Sequence, residues 1–451
     1  MRRLYRPALL IAALIGISAC SGGGGSSTVP GAGSMTAPSA QGRAVLSVGG
    51  PTCNVPADYP TIQAAVNAPA CATIKVAPGS YTENVTIARA LTLRGAQAGH
   101  DARAPRGSES AINGGAGPDV TITANNVTVD GFTLNGPPLS GTAAIVMMGA
   151  NSGETIGNNI VNNPGRAASF NTSNTAFYQN LVKNAMATAS DGFQANTTPV
   201  QNVLLADNTF GGANGAIYNA DITIIEGNSN ITVTGNKSNG DGTLVALFKT
   251  NHALVSGNTV KGDGASSAIY VGGADSNILV SCNTVSSAGT GVNVANDFGD
   301  GANSAVTITG NDLHNNTSGV KVGSIAVAAA GTVVANRNSL TGNTAFGVNN
   351  LSAFNVNATN NWWGAANGPG PVGTGSGDKV TTNVTYAPWL RNANGASCGE
   401  GGDTSDRDGQ DGHDGHDGHD RGHRRNRLSA RCARDAYAAS GCLIARRIVT
   451  R

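Results

Sequence analysis

The chain has 451 residues, of which 63 are Gly and 49 Asn; aromatic residues make up only 4% and charged residues 12%, about half the usual charged share. Gly shows no collagen period, charge is too scarce and Val and Ile too frequent for a charged disordered chain, and a single apolar run, at the N-terminus, excludes a polytopic membrane protein. A net charge of +1 gives no general reason to bind nucleic acid or an anionic membrane.

Residues 1–20 read as an export signal. Arg2, Arg3 and Arg6 form a basic start, and Ala8 to Ile17 is apolar but too short to span a bilayer. Ile17-Ser18-Ala19-Cys20 then resembles the lipobox of bacterial lipoproteins. That resemblance implies lipidation of Cys20 and a membrane anchor; Ser21, in place of Asp, implies the outer membrane. An ordinary secretory signal is the other reading, and both export the mature chain. Residues 21–50 carry SGGGGSST and further Gly, Ser, Pro and Ala, a flexible tether.

The body spans 51–398 and is slightly acidic, with 14 basic and 18 acidic residues. It opens on a short helix with Ile62, Ala65 and Val66 on one face, predicted to cap the fold. Strands through Ile74-Val76, Val85-Ile87 and Leu91-Leu93 follow. Cys53 and Cys71 flank the helix and lie in an oxidising compartment, which predicts a disulfide.

A unit of alternating apolar residues, a turn ending in Asn, and further apolar residues then recurs: VLLADNTF, ITVTGNKS, ALVSGNTV, ILVSCNTV, VTITGNDL and VVANRNSL. Its marker residues are Asn208, Asn236, Asn258, Asn283, Asn311 and Asn338, spaced 28, 22, 25, 28 and 27 apart. Weaker copies fall at Asn159, Asn180 and Asn361. Such a period fits leucine-rich repeats or a β-solenoid. The LxxLxLxxN frame is absent, and the alternation has the period of a strand, as in Ile231 and Val233. Three short strands per repeat make one rung of a parallel β-helix, stacked at ~4.8 Å, with about ten rungs in all. The marker Asn suits a tight turn because Asn tolerates the left-handed conformation. Stacked Asn side chains can also bond one another up the column. Cys282, at a repeat turn, reads as a buried thiol.

Residues 399–451 change character. The segment DGHDGHDGHDRGH holds His413, His416, His419 and His423, a tract able to bind Ni, Zn or Cu through neutral imidazole, or simply a disordered repeat expansion. The last stretch fits an altered reading frame or a short amphipathic helix. The sequence does not pair Cys398, Cys432 or Cys442.

The segment from Tyr59 to Gly95 resembles the opening of pectin-lyase-like right-handed parallel β-helix proteins. NNWWGAANGPG (Asn360 to Gly370) with VTYAPWL (Val384 to Leu390) resembles the closing segment of bacterial surface β-helix repeat proteins. The resemblance implies an all-β, single-stranded right-handed parallel β-helix. It leaves function open, because this fold hosts lyases, hydrolases, esterases, epimerases and adhesins.

Enzymes of this fold bind polysaccharide in a groove along one sheet. One strand per rung aligns as DGFQAN, GAIYNA, TLVALF, SAIYVG, TGVNVA, SGVKVG and FGVNNL. Phe193, Ile217, Val245, Ile269, Val292, Val320 and Val348 then point inward. Gln194, Tyr218, Ala246, Tyr270, Asn293, Lys321 and Asn349 point outward. Polar and aromatic side chains in a line suit a sugar chain, with Tyr218 and Tyr270 two rungs, ~10 Å, apart; an ordinary polar sheet face is the plainer reading. Three residues further on, Thr197, Asp221, Lys249, Gly273 and Asn296 form a second column, with Asp221 and Lys249 as neighbours. A lyase or epimerase needs a base and a cation at a uronate carboxylate. Lys249 is the candidate base, and Asp191, Asp221, Asp241 and Asp263 are candidate Ca²⁺ ligands. A solvated ion pair worth under ~1 kcal/mol is the plainer reading.

Enzyme signatures are otherwise missing. R-x-P-x-x-R of pectate lyases is absent. Ser190-Asp191-Gly192 resembles the first of the N-x-D, D-D and G-H-G segments of polygalacturonase-like hydrolases, but the other two do not occur. The methylesterase strings and the D-P-H-D of alginate epimerases are also absent, and Met147-Met148 reads as packing. The expectation is an exported, lipid-anchored β-helix that binds glycan or another envelope component without catalysis and without a cofactor. The alternative is a lyase or hydrolase of acidic polysaccharide with divergent catalytic residues, for which Ca²⁺ is possible.

Overall fold

The computed structural model describes residues 50–398, apart from 138, 140, 163, 185–190, 196, 212–219 and 372–373. Cys20, Tyr218, His413, His416, His419 and His423 therefore lie outside the described residues, as do the tether and the final segment.

The body is a right-handed parallel β-helix. Its strands form three parallel sheets of 14, 11 and 13 strands, and apart from the final pair Pro369–Pro371 and Gly377–Val380 each strand pairs with its counterpart one turn away. We call them the first, second and third sheets, in the order the chain visits them. One turn runs Ser229–Thr234, Lys237–Asn239 and Val245–Leu247. Alternation drives the winding: in Ser229–Thr234 only Ile231 and Val233 are buried, and they stack on Ala253 and Val255 of the next turn. Stacked aliphatic columns fill the tube. Phe170, Phe177, Phe193 and Phe210 form an internal aromatic chain, with successive ring centroids 5.0, 4.6 and 5.2 Å apart.

The short helix, Ile62–Asn67, buries Ile62, Ala65 and Val66. Side chains satisfy both its ends. The Thr61 hydroxyl accepts from Ala64 N at 3.1 Å, and the Glu83 carboxylate accepts from Ile62 N and Gln63 N, each at 2.9 Å. Arg89 donates to the carbonyls of Val66, Ala68 and Cys71 at 2.9, 2.7 and 2.7 Å. A strand unforeseen from sequence, Thr52–Val55, precedes the helix and pairs in parallel with Thr73–Val76. The Cys53–Cys71 disulfide is present. Cys282 is not a thiol: it bonds Cys398, 116 residues away, joining the end of the body to a repeat turn.

The marker asparagines pile one over another at the corner between the first and second sheets. Asn159, Asn180, Asn208, Asn236, Asn258, Asn283, Asn311, Asn338 and Asn361 are all buried. From Asn159 to Asn338, each donates its backbone N–H to the side-chain oxygen of the next, at 2.8–3.1 Å. The side-chain amides repeat the step and also bond carbonyls of the turn below, such as Asn236 to Leu205 O at 2.9 Å. One expectation is corrected here. The left-handed residue of the turn is the one before the ladder Asn: Asp207 (φ 55°), Gly235 (64°), Gly257 (67°), Cys282 (56°), Gly310 (67°) and Arg337 (54°). The Asn is selected for its amide, which supplies an acceptor and two donors, and the neighbour carries the backbone strain.

Candidate functional site

The outward column of the third sheet is the proposed groove. In the observed register Phe193 pairs with Ile222, Ile222 with Val245, and Val245 with Ile269. The outward residues are Gln194, Thr223, Ala246, Tyr270, Asn293, Lys321 and Asn349. Thr223 thus takes the place expected for Tyr218, a shift of five residues. The same shift replaces Asp221 by Glu226 beneath Lys249. The stretch GAIYNA imitates its neighbours in sequence, but Ile222–Ile224 supplies the strand that packs and bonds.

The column is also less open than its polarity implies. Gln194, Thr223, Ala246 and Asn293 are buried, while Tyr270, Lys321 and Asn349 are partly exposed. Gln194 and Thr223 are turned onto Asp191, itself buried. Thr223 Oγ1 donates to Asp191 Oδ1 at 2.8 Å, the Gln194 amide donates to Oδ2, and Arg166 Nη2 stands 3.9 Å from Oδ2. Burial pushes the Asp191 carboxyl up, against the lowering effect of Thr223, Arg166 and Gln194. Both carboxylate oxygens are engaged, so Asp191 clamps three successive turns together. Arg166 and Thr223 were not foreseen; their signal, a polar residue at the same strand position on adjacent turns, needs the register.

Lys249 sits at the corner beyond the third sheet. Its ammonium lies 3.4 Å from Asp300 and 3.6 Å from Glu226, so the expected ion pair with a carboxylate exists, with different partners. Asp221 is one sheet edge away and fully buried. Beside Lys249 three rings meet. Phe248 lies 5.6 Å from Tyr270 and 5.5 Å from Phe298, and Tyr270 lies 6.5 Å from Phe298, centroid to centroid. Phe248 is buried as the base of the group, whereas Phe298 is 36% exposed. The Tyr270 hydroxyl donates to Asp297 Oδ2 at 3.1 Å, and burial and that carboxylate both raise its pKa. Ile325 and Leu351 are exposed on later turns. The arrangement is a ledge of aromatic rings with one cation and three carboxylates beside it.

The candidate Ca²⁺ ligands do not converge as a group. Asp263 caps its own loop, accepting from Ala265 N, Ser266 N and Ser266 Oγ at 2.9, 2.7 and 2.8 Å, and its pKa is lowered by those bonds. Asp191 is occupied as above. Asp221 and Asp241 are close enough to influence each other's protonation. Among the described residues no three His, Cys, Asp or Glu side chains are placed to hold a metal ion.

The strand order defines the class of protein, a right-handed parallel β-helix. No family model matches the chain, and no curated protein matches it. Solved structures similar to it include DFA-IIIase from Arthrobacter chlorophenolicus A6 without its lid: 12% identity over 70% of this chain and 89% of that one, TM-score 0.47. The PL6 family alginate lyase AlyGC gives 11% identity over 70% and 50%, TM-score 0.43. The A-module of the Azotobacter vinelandii mannuronan C-5 epimerase AlgE6 gives 12% over 70% and 91%, TM-score 0.35. At such identities no residue of those proteins assigns a role to a residue here, and function must be argued from this chain's own side chains.

Proposed function

We propose that this protein is an exported, lipid-anchored β-helix that binds a glycan of the cell envelope, without catalysis, on the ledge formed by Tyr270 and Phe298. The observation that carries this reading is the pair of accessible rings at the corner of the third sheet, seated on buried Phe248. Sugar rings present apolar C–H faces that stack on such aromatics, and the polar rim suits their hydroxyls. Lys249 is already neutralised by Glu226 and Asp300, and Asp297 adds a further carboxylate. The ledge therefore favours a neutral glycan over an acidic one. Export and anchoring rest on the basic start, the apolar stretch and Cys20.

The test is a glycan array followed by calorimetric titration of the full chain. Phe298→Ala and Tyr270→Ala should each abolish binding while leaving the unfolding temperature within a few degrees of the parent. Undiminished binding in both variants overturns the site. Release of reducing ends or unsaturated products from the bound glycan overturns the non-catalytic reading.

A further inference from the structure

Four buried oxygens at the corner between the second and third sheets, both carboxylate oxygens of Asp221, Oδ2 of Asp241 and the hydroxyl of Ser238, have no hydrogen-bond partner outside their own group. All three residues are at most 1% exposed. Asp221 immediately precedes the strand Ile222–Ile224. Ser238 is the middle residue of Lys237–Asn239, and Asp241 lies in the turn that follows. Burial pushes the Asp221 carboxyl up, the charge of Asp241 adds to this, and a hydrogen bond from the Ser238 hydroxyl opposes it.

Two columns break at this place. Along the second sheet the inward residues run Val182, Phe210, Ser238, Val260, Val285. A hydroxyl replaces an aliphatic or aromatic side chain there once, and every other copy of the repeat quoted above ends on Phe, Val or Leu. Along the third sheet the residues before the inward position run Ala167, Gly192, Asp221, Leu244, Ala268. A carboxylate appears among small and apolar residues on the turn next to Ser238. Packing alone gives no reason for either break, since Val and Leu or Gly and Ala serve the neighbouring turns.

Burying carboxylates without compensation costs several kcal/mol each. No cationic side chain figures among the groups that shift Asp221 or Asp241. Arg166 is committed to Asp191, and Lys249 to Glu226 and Asp300. One proton shared between the carboxyls, with the Ser238 hydroxyl donating to Asp221, still leaves one net negative charge buried with no cation to balance it. A hard divalent cation takes oxygen ligands only, balances two carboxylates and accepts a hydroxyl as an additional ligand.

We infer that Asp221, Asp241 and Ser238 form an internal site for a hard divalent cation of the Ca²⁺ class, which ties the second and third sheets together. The site stabilises the tube and is independent of the glycan ledge.

The experiment uses the full chain, stripped with chelator under mildly destabilising conditions, desalted, and followed by thermal unfolding and calorimetric titration with CaCl₂. Ca²⁺ is the probe because imidazoles of the His tract compete poorly for it. The expected result is a higher unfolding temperature with Ca²⁺, and one ion bound per chain that Asp221→Asn does not bind. Ser238→Val, which restores the residue the column uses elsewhere, keeps the fold and binds about tenfold more weakly. It also serves if Asp221→Asn fails to fold. Absence of any Ca²⁺-dependent shift, with Asp241→Asn at least as stable as the parent at neutral pH, overturns the site in favour of a shared proton. Unchanged affinity in Ser238→Val overturns it too.

Discussion

The side-chain oxygen of Asn258 accepts both the backbone N–H of Asn236, at 2.8 Å, and its side-chain amide, at 3.0 Å. Asn258 passes the interaction on, donating to Val233 O at 3.0 Å and to Asn283 Oδ1 at 2.9 Å. Four bonds thus meet on one buried side chain, in a column where water cannot replace them.

Asn258→Ala should therefore lower stability by about 2–4 kcal/mol, since it strands a backbone N–H and a carbonyl. Asn258→Asp should be worse at neutral pH than at acid pH, because its carboxylate would face the acceptors Val233 O and Asn283 Oδ1. Denaturant midpoints of the two variants at both pH values test this; equal losses for Asp at either pH would refute the assigned amide orientation.

A second corner carries an acid in a column that also holds Asn228, Thr250 and Asn303. Asp275 accepts from Thr250 N at 2.8 Å and donates its own N–H to Asn303 Oδ1 at 3.1 Å. Burial, the largest influence, pushes its carboxyl from 3.8 to about 7; the bonds from Thr250, Gly273 and Gly272 oppose this, and Asp300 adds to it. The folded value lies above the unfolded one. Its contribution to stability is thus full below about pH 4 and is lost as pH rises through about 7. Asp275→Asn should raise the unfolding temperature at pH 8 and leave it nearly unchanged at pH 4, at the cost of the long 3.3 Å bond from Gly273 N. An unfolding temperature lowered equally at both pH values would contradict this.

Lys249 bridges Asp300 and Glu226 at a corner where its side chain is 32% exposed. Lys249→Ala should cost about 1–3 kcal/mol, because it removes a cation from buried Asp300, and the share from half-exposed Glu226 should shrink in high salt. A salt-insensitive loss would contradict the Glu226 share. Any polysaccharide-degrading turnover that vanished in this variant would make Lys249 catalytic.

The Cys282–Cys398 bond closes a loop of 116 residues. Peptide mapping without reduction should recover it together with Cys53–Cys71. Cys282→Ser should lower stability by about 2–5 kcal/mol, more than an exposed Ser substitution elsewhere.

Much of the fold was legible in the chain because a β-helix is written in local periods. Ile231 and Val233 alternate with Thr, the marker Asn recurs, and Ile62, Ala65 and Val66 share a helical face. Each of these signals acts within a few residues or between identical positions of adjacent repeats. The Asn column could be drawn from spacing alone, although the residue that takes the left-handed turn could not. Its side chain contributes nothing to the pattern, as Asp207, Cys282 and Arg337 show.

The site was legible in kind and not in membership. Tyr270 and Lys249 stand where the repeats place them, yet their partners Phe298, Asp297, Asp300 and Glu226 come from connections whose lengths vary. Ser238 was visible as the one polar ending among the repeat copies, but it gained meaning only beside Asp221.

By itself the sequence determined a tube of stacked coils, aliphatic inside and amide-lined at one corner, because winding obeys the alternation of neighbouring residues. The tertiary structure decided which residue lies above which. Repeat lengths range between 21 and 28 residues, and the excess is taken up in the turns. Inter-strand bonding and the packing of Phe193 on Ile222 fix the register, and that choice seats Glu226 under Lys249 and Thr223 on Asp191.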